Sequence, residues 1–319
     1  MATAPFVIVP SLCAVAVMYR QGKRIADDVL PRVPVDTESF RYIKYGLADS
    51  FNAPDTRVGR LSAPNQITWG STELTDSVND EGLDSPVPNK DILAWQKARE
   101  SGQGMASQVD PLSLATEMVM ETVENRREVR AANLVFNAAS YGANNKVTLS
   151  GTGQWSDKVN SDPLVAIKGY FDSMIVRPNI GVLGRLVATQ LSMHPKVVGA
   201  VYKNGTVGGS VPMRAIADQL ELDELYVGDA YVNTAAPGQA ATMSRVWGKH
   251  AAFLFRDKQA NTRGKVTFGY TAQYGDRIAG TIENSGIGLR GGVMVRAGES
   301  VKEIVTANDL GYFVQNAVA

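Results

Sequence analysis

From Leu112 to Ser140 the chain contains neither proline nor glycine. Asp110-Pro111 stands directly before this run, supplying an N-cap and a proline at the first helical position, where its missing N–H costs nothing. Leu112, Ala115, Val119 and Val123 then recur at three- and four-residue spacings. Together these features predict a single helix of roughly 29 residues, about 43 Å long at 1.5 Å per residue. Its middle carries Glu117, Glu121, Glu124, Arg126, Arg127, Glu128 and Arg130. One reading is a solvated face with weak intrahelical pairs such as Glu124 with Arg127. The other is a surface that contacts a neighbouring subunit.

The segment 46–88 has the opposite texture. Apolar residues thin out, prolines appear at 54, 64, 86 and 88, and Asn, Asp, Gly and Ser are frequent. A stretch of about 40 residues with so few core candidates is unusual inside a compact domain, and it predicts a projecting hairpin. Arg57 to Leu61 and Gln66 to Trp69 read as its strands. The acidic residues Asp76, Asp80, Glu81 and Asp84 lack the alternate-position pattern of a calcium loop and read as a solvated hairpin face.

At 319 residues, two domain-sized units are the default. The 32 basic and 32 acidic residues cancel, so no global field draws the chain to nucleic acid or to an anionic membrane. A lone cysteine, Cys13, excludes an internal disulfide and a four-cysteine zinc site, and fits a reducing compartment. The apolar run Phe6 to Tyr19 contains Pro10 and is followed, not preceded, by Arg20, Lys23 and Arg24. That reverses the charge order of a secretory signal and is too short to span a bilayer, so a soluble chain beginning with an arm is expected. Residues 11 to 30 read as a helix that Pro31 and Pro34 end.

After Gly142 helices and strands alternate. Helices are expected over 162–175, 185–193, 196–202 and 212–220, with strands at 180–183 and 224–227 and a glycine-rich loop from Gly205 to Ser210. The last third is strand-rich. Val246 to Phe255 is a buried run, and Val266, Phe268, Tyr270, Ala272 and Tyr274 alternate as a half-buried strand does. Gly275-Asp276 marks a turn. Val293 to Arg296, Val301 to Thr306 and Tyr312 to Gln315 read as short strands, the first two separated at Gly298. The class is α+β.

Catalytic chemistry is sparse. His194 and His250 accompany no nucleophile-elbow pattern and are expected on the surface or at a strand edge. The glycines near 205–209 and 286–292 match neither a P-loop nor a dinucleotide fingerprint. No cofactor or metal is expected.

The order of these parts, together with four short segments, resembles the major capsid proteins of tailed bacteriophages, built on the Hong Kong 97 type capsid fold. The segments are Ile25-Ala26-Asp27-Asp28-Val29-Leu30-Pro31; Gly184 to Val198, including His194-Pro195-Lys196-Val197; Leu225 to Ala230; and Val246-Trp247-Gly248-Lys249. The resemblance implies an N-arm over 1–45, an extended E-loop over 46–88 and a peripheral domain over 89–177 that includes a spine helix at 110–140. An axial domain over 178–282 and peripheral-domain strands over 283–319 complete it. It also implies self-assembly into hexamers and pentamers of an icosahedral shell around double-stranded DNA, bound without sequence specificity. A separate scaffolding protein, a portal protein and a decoration protein are the further partners it suggests, with assembly in the host bacterial cytoplasm and the virion as destination. Arg20, Lys23, Arg24, Arg57, Arg60, Trp69, Glu117, Glu121, Glu124, Arg126 and Arg127 are the expected inter-subunit contacts. Some family members weld subunits through an E-loop lysine, and residues 47–89 contain none. An encapsulin-like protein nanocompartment and a soluble α/β enzyme are the alternative readings.

Overall fold

A computed structural model describes residues 7–8, 24–45, 53–66, 71–100, 110–202, 209–236, 238–259 and 266–319. After β1 (Val7–Ile8) comes the one-turn helix α1 (Ala26–Val29), which stops where Pro31 forces Leu30 out of helical backbone. Most of the helix expected over 11–30 lies outside the described residues. The arm continues as β2 (Arg32–Val35).

Next, β3 (Ser39–Tyr45) and β4 (Ser71–Ser77) pair antiparallel from Ser39 opposite Ser77 to Tyr45 opposite Ser71. This is the projecting hairpin, and its limits differ from 46–88. Its base begins at Ser39, while β5 (Asn79–Pro88) leaves it to become an edge strand of a larger sheet, where Val87 is buried. Prolines at 86 and 88 suit that edge position. No strand forms at Arg57–Leu61. A turn closed by the Ser62 N–H on the Gly59 carbonyl at 3.0 Å replaces it, because Asp55 and Gly59 supply turn chemistry that outweighs the weak strand pattern. Residues 67–70, including Trp69, lie outside the described residues.

Helix α2 (Asn89–Glu100) precedes the long helix α3 (Pro111–Val135). The Asp110 side chain accepts the Leu112 N–H at 3.2 Å, the cap expected there. At 25 residues, α3 is shorter than predicted. Asn137 takes an extended backbone and its side chain accepts the Ala139 N–H at 2.9 Å, opening a separate 3-10 turn over Ala138–Ser140.

The first sheet runs β1-β12-β13-β5, with β2 parallel on the same side of β12 as β1. Strand β12 (Gly269–Asn284) does not turn at Gly275-Asp276. It bulges there, so that Tyr274 and Ile278 are the consecutive paired positions. Likewise β13 (Gly292–Val305) is one strand through Gly298, not two. The α3 residues Ala115, Val119, Met120 and Val123 pack against Val87, Ala279, Val295 and Ala297 of this sheet.

The second sheet has the order β6-β14-β11-β7-β8: β6 (Lys146–Thr148), β14 (Gly311–Gln315), β11 (Ala251–Leu254), β7 (Ile180–Gly184) and β8 (Glu224–Gly228). One face packs on the helices α4 (Pro163–Ser173), α5 (Arg185–Ser192), α6 (Pro195–Val201) and α7 (Met213–Leu220). Its other face meets α1 and the end of α3 through Leu30, Val135, Trp247 and Phe313. Covered on both faces, β7 and β11 are apolar throughout. A small hairpin of β9 (Tyr231–Asn233) and β10 (Met243–Arg245) lies beside this sheet in sequence. The unit expected over 178–282 is therefore drawn differently by strand pairing. It loses residues from Gly269 onward to the first sheet and gains β6 and β14, which complete the ladder beside β11.

Candidate functional site

The face of α3 that looks inward continues its apolar stripe with charges. Arg127 and Glu128 are fully buried and Glu124 nearly so, which overturns the expectation of a solvated face. Nor do Glu124 and Arg127 pair with each other. Glu124 takes the guanidinium of Arg277 and, at 3.6 Å, that of Arg32. Arg127 takes Asp27 of α1, lies 3.7 Å from Glu303 and donates to Thr271 Oγ1 at 3.1 Å.

Glu299 of β13 closes the cluster. Its side chain is 1% exposed and accepts from Arg32 at 2.7 Å and Arg277 at 3.2 Å. Burial works against its charge, but Arg32, Arg127 and Arg277 outweigh that and hold its carboxyl below the usual carboxylate range. Asp27 is held low in the same way: desolvation is opposed and beaten by Arg127 and Arg32. Arg130 binds Glu303 and, at 3.1 Å, Glu81 of β5. Arg24 donates to the Asn125 side chain at 2.8 and 3.1 Å and to the Glu121 carbonyl at 3.0 Å.

The joint thus ties five parts distant in sequence: the arm at 24–32, the long helix, the bulged strand β12, β13 with Glu299 and Glu303, and β5 at the hairpin root. A buried charged network contributes little net stability over an apolar core, yet breaking it is costly, so its effect is to fix one relative placement of these parts. The joint also explains why both faces of β12 are buried over residues 269–272, where alternation predicts one wet face. Arg127 and the Leu30 carbonyl both bond Thr271 Oγ1 from the second side.

Of the residues expected at contacts, Arg24, Glu121, Glu124 and Arg127 belong to this joint. Glu117 and Arg126 lie on the exposed side of α3, and Arg57 and Arg60 on the exposed hairpin tip. Arg20 and Lys23 lie outside the described residues, as does Trp69. Sequence reasoning did not find Glu128, Asp27, Arg277 or Glu299. For Glu128, the signal was its phase on the stripe. Of the acidic residues 76–84, Asp80 and Asp84 are exposed as expected of a solvated face, although Asp80, Glu81 and Asp84 stand on β5 and not on the hairpin; at this surface Asp76 meets Lys302 at 3.7 Å and Asp84 meets Arg296 at 2.6 Å.

His194 is buried, not superficial. It caps α6, its Nδ1 accepting the Lys196 N–H at 3.3 Å, which leaves the proton on Nε2 facing Ser161 Oγ at 3.1 Å. The Ser161 hydroxyl donates to the Asp157 carbonyl, so the imidazole is its donor and not its base. This is a structural lock between two loops. Among the described residues no cluster of His, Cys, Asp and Glu is arranged to hold a metal, and no helix is long and apolar enough to cross a membrane.

No family model matches the chain. The major capsid protein of Pseudomonas phage JBD67 is 51% identical over 321 residues, covering 100% of both chains. Among solved structures, a phage-related protein from Bordetella bronchiseptica RB50 superposes with a TM-score of 0.72 at 20% identity, over 98% of each chain. The capsid of the cyanophage P-SCSP1u does so with a TM-score of 0.55 at 12% identity, over 99% of this chain and 92% of that one. The long helix, the hairpin and the two sheets stand in the same fold as these proteins, and the full-length identity leaves one conclusion: the chain belongs to the bacteriophage major capsid proteins of the Hong Kong 97 type fold.

Proposed function

We propose that this chain is the subunit from which a tailed phage builds the icosahedral shell around its double-stranded DNA, through hexamers and pentamers of itself. The observation that carries the reading is a division of labour. Buried charges lock arm, long helix and first sheet into one body, while the hairpin tip and the outer side of α3 are left exposed by their own chain. A subunit designed to be completed by its neighbours has that form. The hairpin β3–β4 is the E-loop in this reading, α3 the spine, the first sheet the peripheral domain and the second sheet with its helices the axial domain. Its role is structural, without a reaction of its own.

The zero net charge leaves no global attraction to DNA, so contact with the genome in this reading is confined to local basic side chains and is independent of sequence. Assembly in the bacterial cytoplasm, assisted by a separate scaffolding protein and completed by portal and decoration proteins, follows from the family resemblance. With no lysine in 47–89, the finished shell is held non-covalently. Electron microscopy of the purified protein, with scaffold supplied, tests the reading. Closed shells are expected, and a persistent 34.3 kDa monomer in light scattering would refute it.

A further inference from the structure

A cleft of about 430 Å³ opens where the arm, the long helix and the edge of the second sheet meet, a volume in the range of small-ligand sites. One wall is Arg24 of the arm with Glu121 and Asn125 of α3. The other is Arg185 at the start of α5, Asp229, and the β9–β10 pair Tyr231 and Arg245. This second wall is built on Trp247. Gly184 and Gly228, which precede Arg185 and Asp229, pack so closely on Trp247 and its carbonyl that neither position admits a side chain. The Val246 N–H donates to the Ala230 carbonyl at 2.9 Å, and the Trp247 indole N–H donates to Glu128 of α3 at 2.6 Å. The two walls therefore share a buried link, and the cleft is preformed.

The lining is rich in donors. Three guanidiniums, of Arg24, Arg185 and Arg245, face two carboxylates, of Glu121 and Asp229, which leaves one positive charge in excess. Arg24 and Glu121 stand 3.6 Å apart and Arg185 and Asp229 3.5 Å, longer than a well-made charge-assisted hydrogen bond. Half-buried Arg245 has no carboxylate among the described residues; its guanidinium lies over the Tyr231 ring, 4.6 Å from the centroid. Asn125 gives its amide oxygen to Arg24 at 2.8 and 3.1 Å, so its amide N–H groups are left as donors, with no acceptor among the described residues. Half-buried donors without acceptors, beside an excess positive charge, favour an anion.

We propose that this cleft binds a phosphate group, held by Arg245, Arg185 and the Asn125 amide. A tetrahedral oxyanion directs oxygens at several donors at once and so can be met from both walls, whereas a planar carboxylate is matched by a single guanidinium fork. One positive charge in excess suits the single negative charge of a phosphodiester. Bound there, the anion ties the arm and α3 to the β9–β10 hairpin and α5. The site does not depend on the shell-subunit reading. Only its source does: a free phosphate compound, or a backbone phosphate of DNA.

Phosphorus NMR of inorganic phosphate titrated with the full chain, at constant ionic strength in chloride buffer, tests the site. Saturable line broadening is expected with the native chain. Arg245→Gln and, separately, Arg185→Gln should each weaken binding on the order of tenfold, while the phosphate-free variants melt as the native chain does. A native chain that leaves the phosphate signal unbroadened, or two folded variants that bind as the native chain does, would overturn the site. A short DNA duplex added as competitor separates the sources. Displacement of phosphate from the native chain identifies the DNA backbone, and undisturbed phosphate binding identifies the free compound. Electron microscopy scores shell formation separately: phosphate binding without shells keeps the site and removes the shell reading, and shells without phosphate binding do the reverse.

Discussion

Glu128 shows what a buried charge accomplishes here. Its Oε1 accepts the Ile25 N–H at 3.0 Å and the Trp247 indole N–H at 2.6 Å, and its Oε2 accepts the Ala26 N–H at 2.9 Å. These amides start α1, a single turn too short to satisfy its own first N–H groups. Burial pushes the Glu128 carboxyl upward, while those donors and Arg127 oppose the shift. Glu128→Ala leaves three donors stranded and should cost about 3 kcal/mol, whereas Glu128→Gln keeps one oxygen and should cost about 1 kcal/mol. Denaturant unfolding followed by tryptophan fluorescence ranks the two; equal stability of the alanine variant and the native chain would refute this role. The anomaly was legible in sequence, since Glu124, Arg127 and Glu128 continue the phase set by Val119 and Val123. Their partners were not, because Ile25 and Glu299 lie more than a hundred positions away on either side.

At the level of elements, the bulge of β12 and the glycines of β13 and β5 stand in register across the first sheet. Gly298 of β13 faces Gly82 of β5, and Ile278, the first paired residue after the β12 bulge, stands opposite Gly298. A side chain at Gly298 would bring its Cβ to 2.6 Å from the Glu81 carbonyl and 2.8 Å from Gly82 Cα, both backbone atoms. The bulge, with Gly275 at a φ of +64°, carries Arg277 to Glu124 and Glu299. Gly298→Val should therefore destabilise the subunit by about 2 kcal/mol through forced separation of β13 and β5. Gly153→Ala, with nothing within 4 Å, should stay within about 0.5 kcal/mol and serves as the control. Similar melting temperatures for the two variants would argue against the close approach. From sequence both Gly275 and Gly298 read as turn glycines, because a glycine that admits a neighbouring backbone looks the same as one that reverses the chain.

For the whole molecule, the joint predicts the response to acid. Glu299 and Asp27 are both held below the usual carboxylate range, so each contributes stability above that range and loses it as pH falls through its lowered value. Glu128 has the opposite sign. Its raised value means that mild acid relieves its burial and that its contribution is lost as pH rises. The chain should therefore hold its stability on mild acidification and lose it steeply below the ordinary carboxylate range. Glu299→Gln should cost about 3 kcal/mol near neutral pH. Its melting temperature should converge on that of the native chain only as pH falls through the lowered value of Glu299, below the ordinary carboxylate range, where the native side chain also loses its charge. A constant gap between the two curves would mean that Glu299 acts through packing alone.

What the sequence determined by itself is local. The Asp110 cap, the start of α3, the Asp162 cap of α4 and the run of helices between residues 162 and 220 all follow from interactions within a few residues. The sparse hairpin was legible too, because a segment with few apolar residues cannot build a core of its own. Long-range packing sets which charges are buried, carries β12 and β13 unbroken past their glycines, and brings β14 back to complete the second sheet while β12 joins the first. Each of these depends on a partner far along the chain, and neither the sign of a charge nor the presence of a glycine reveals what will be placed against it.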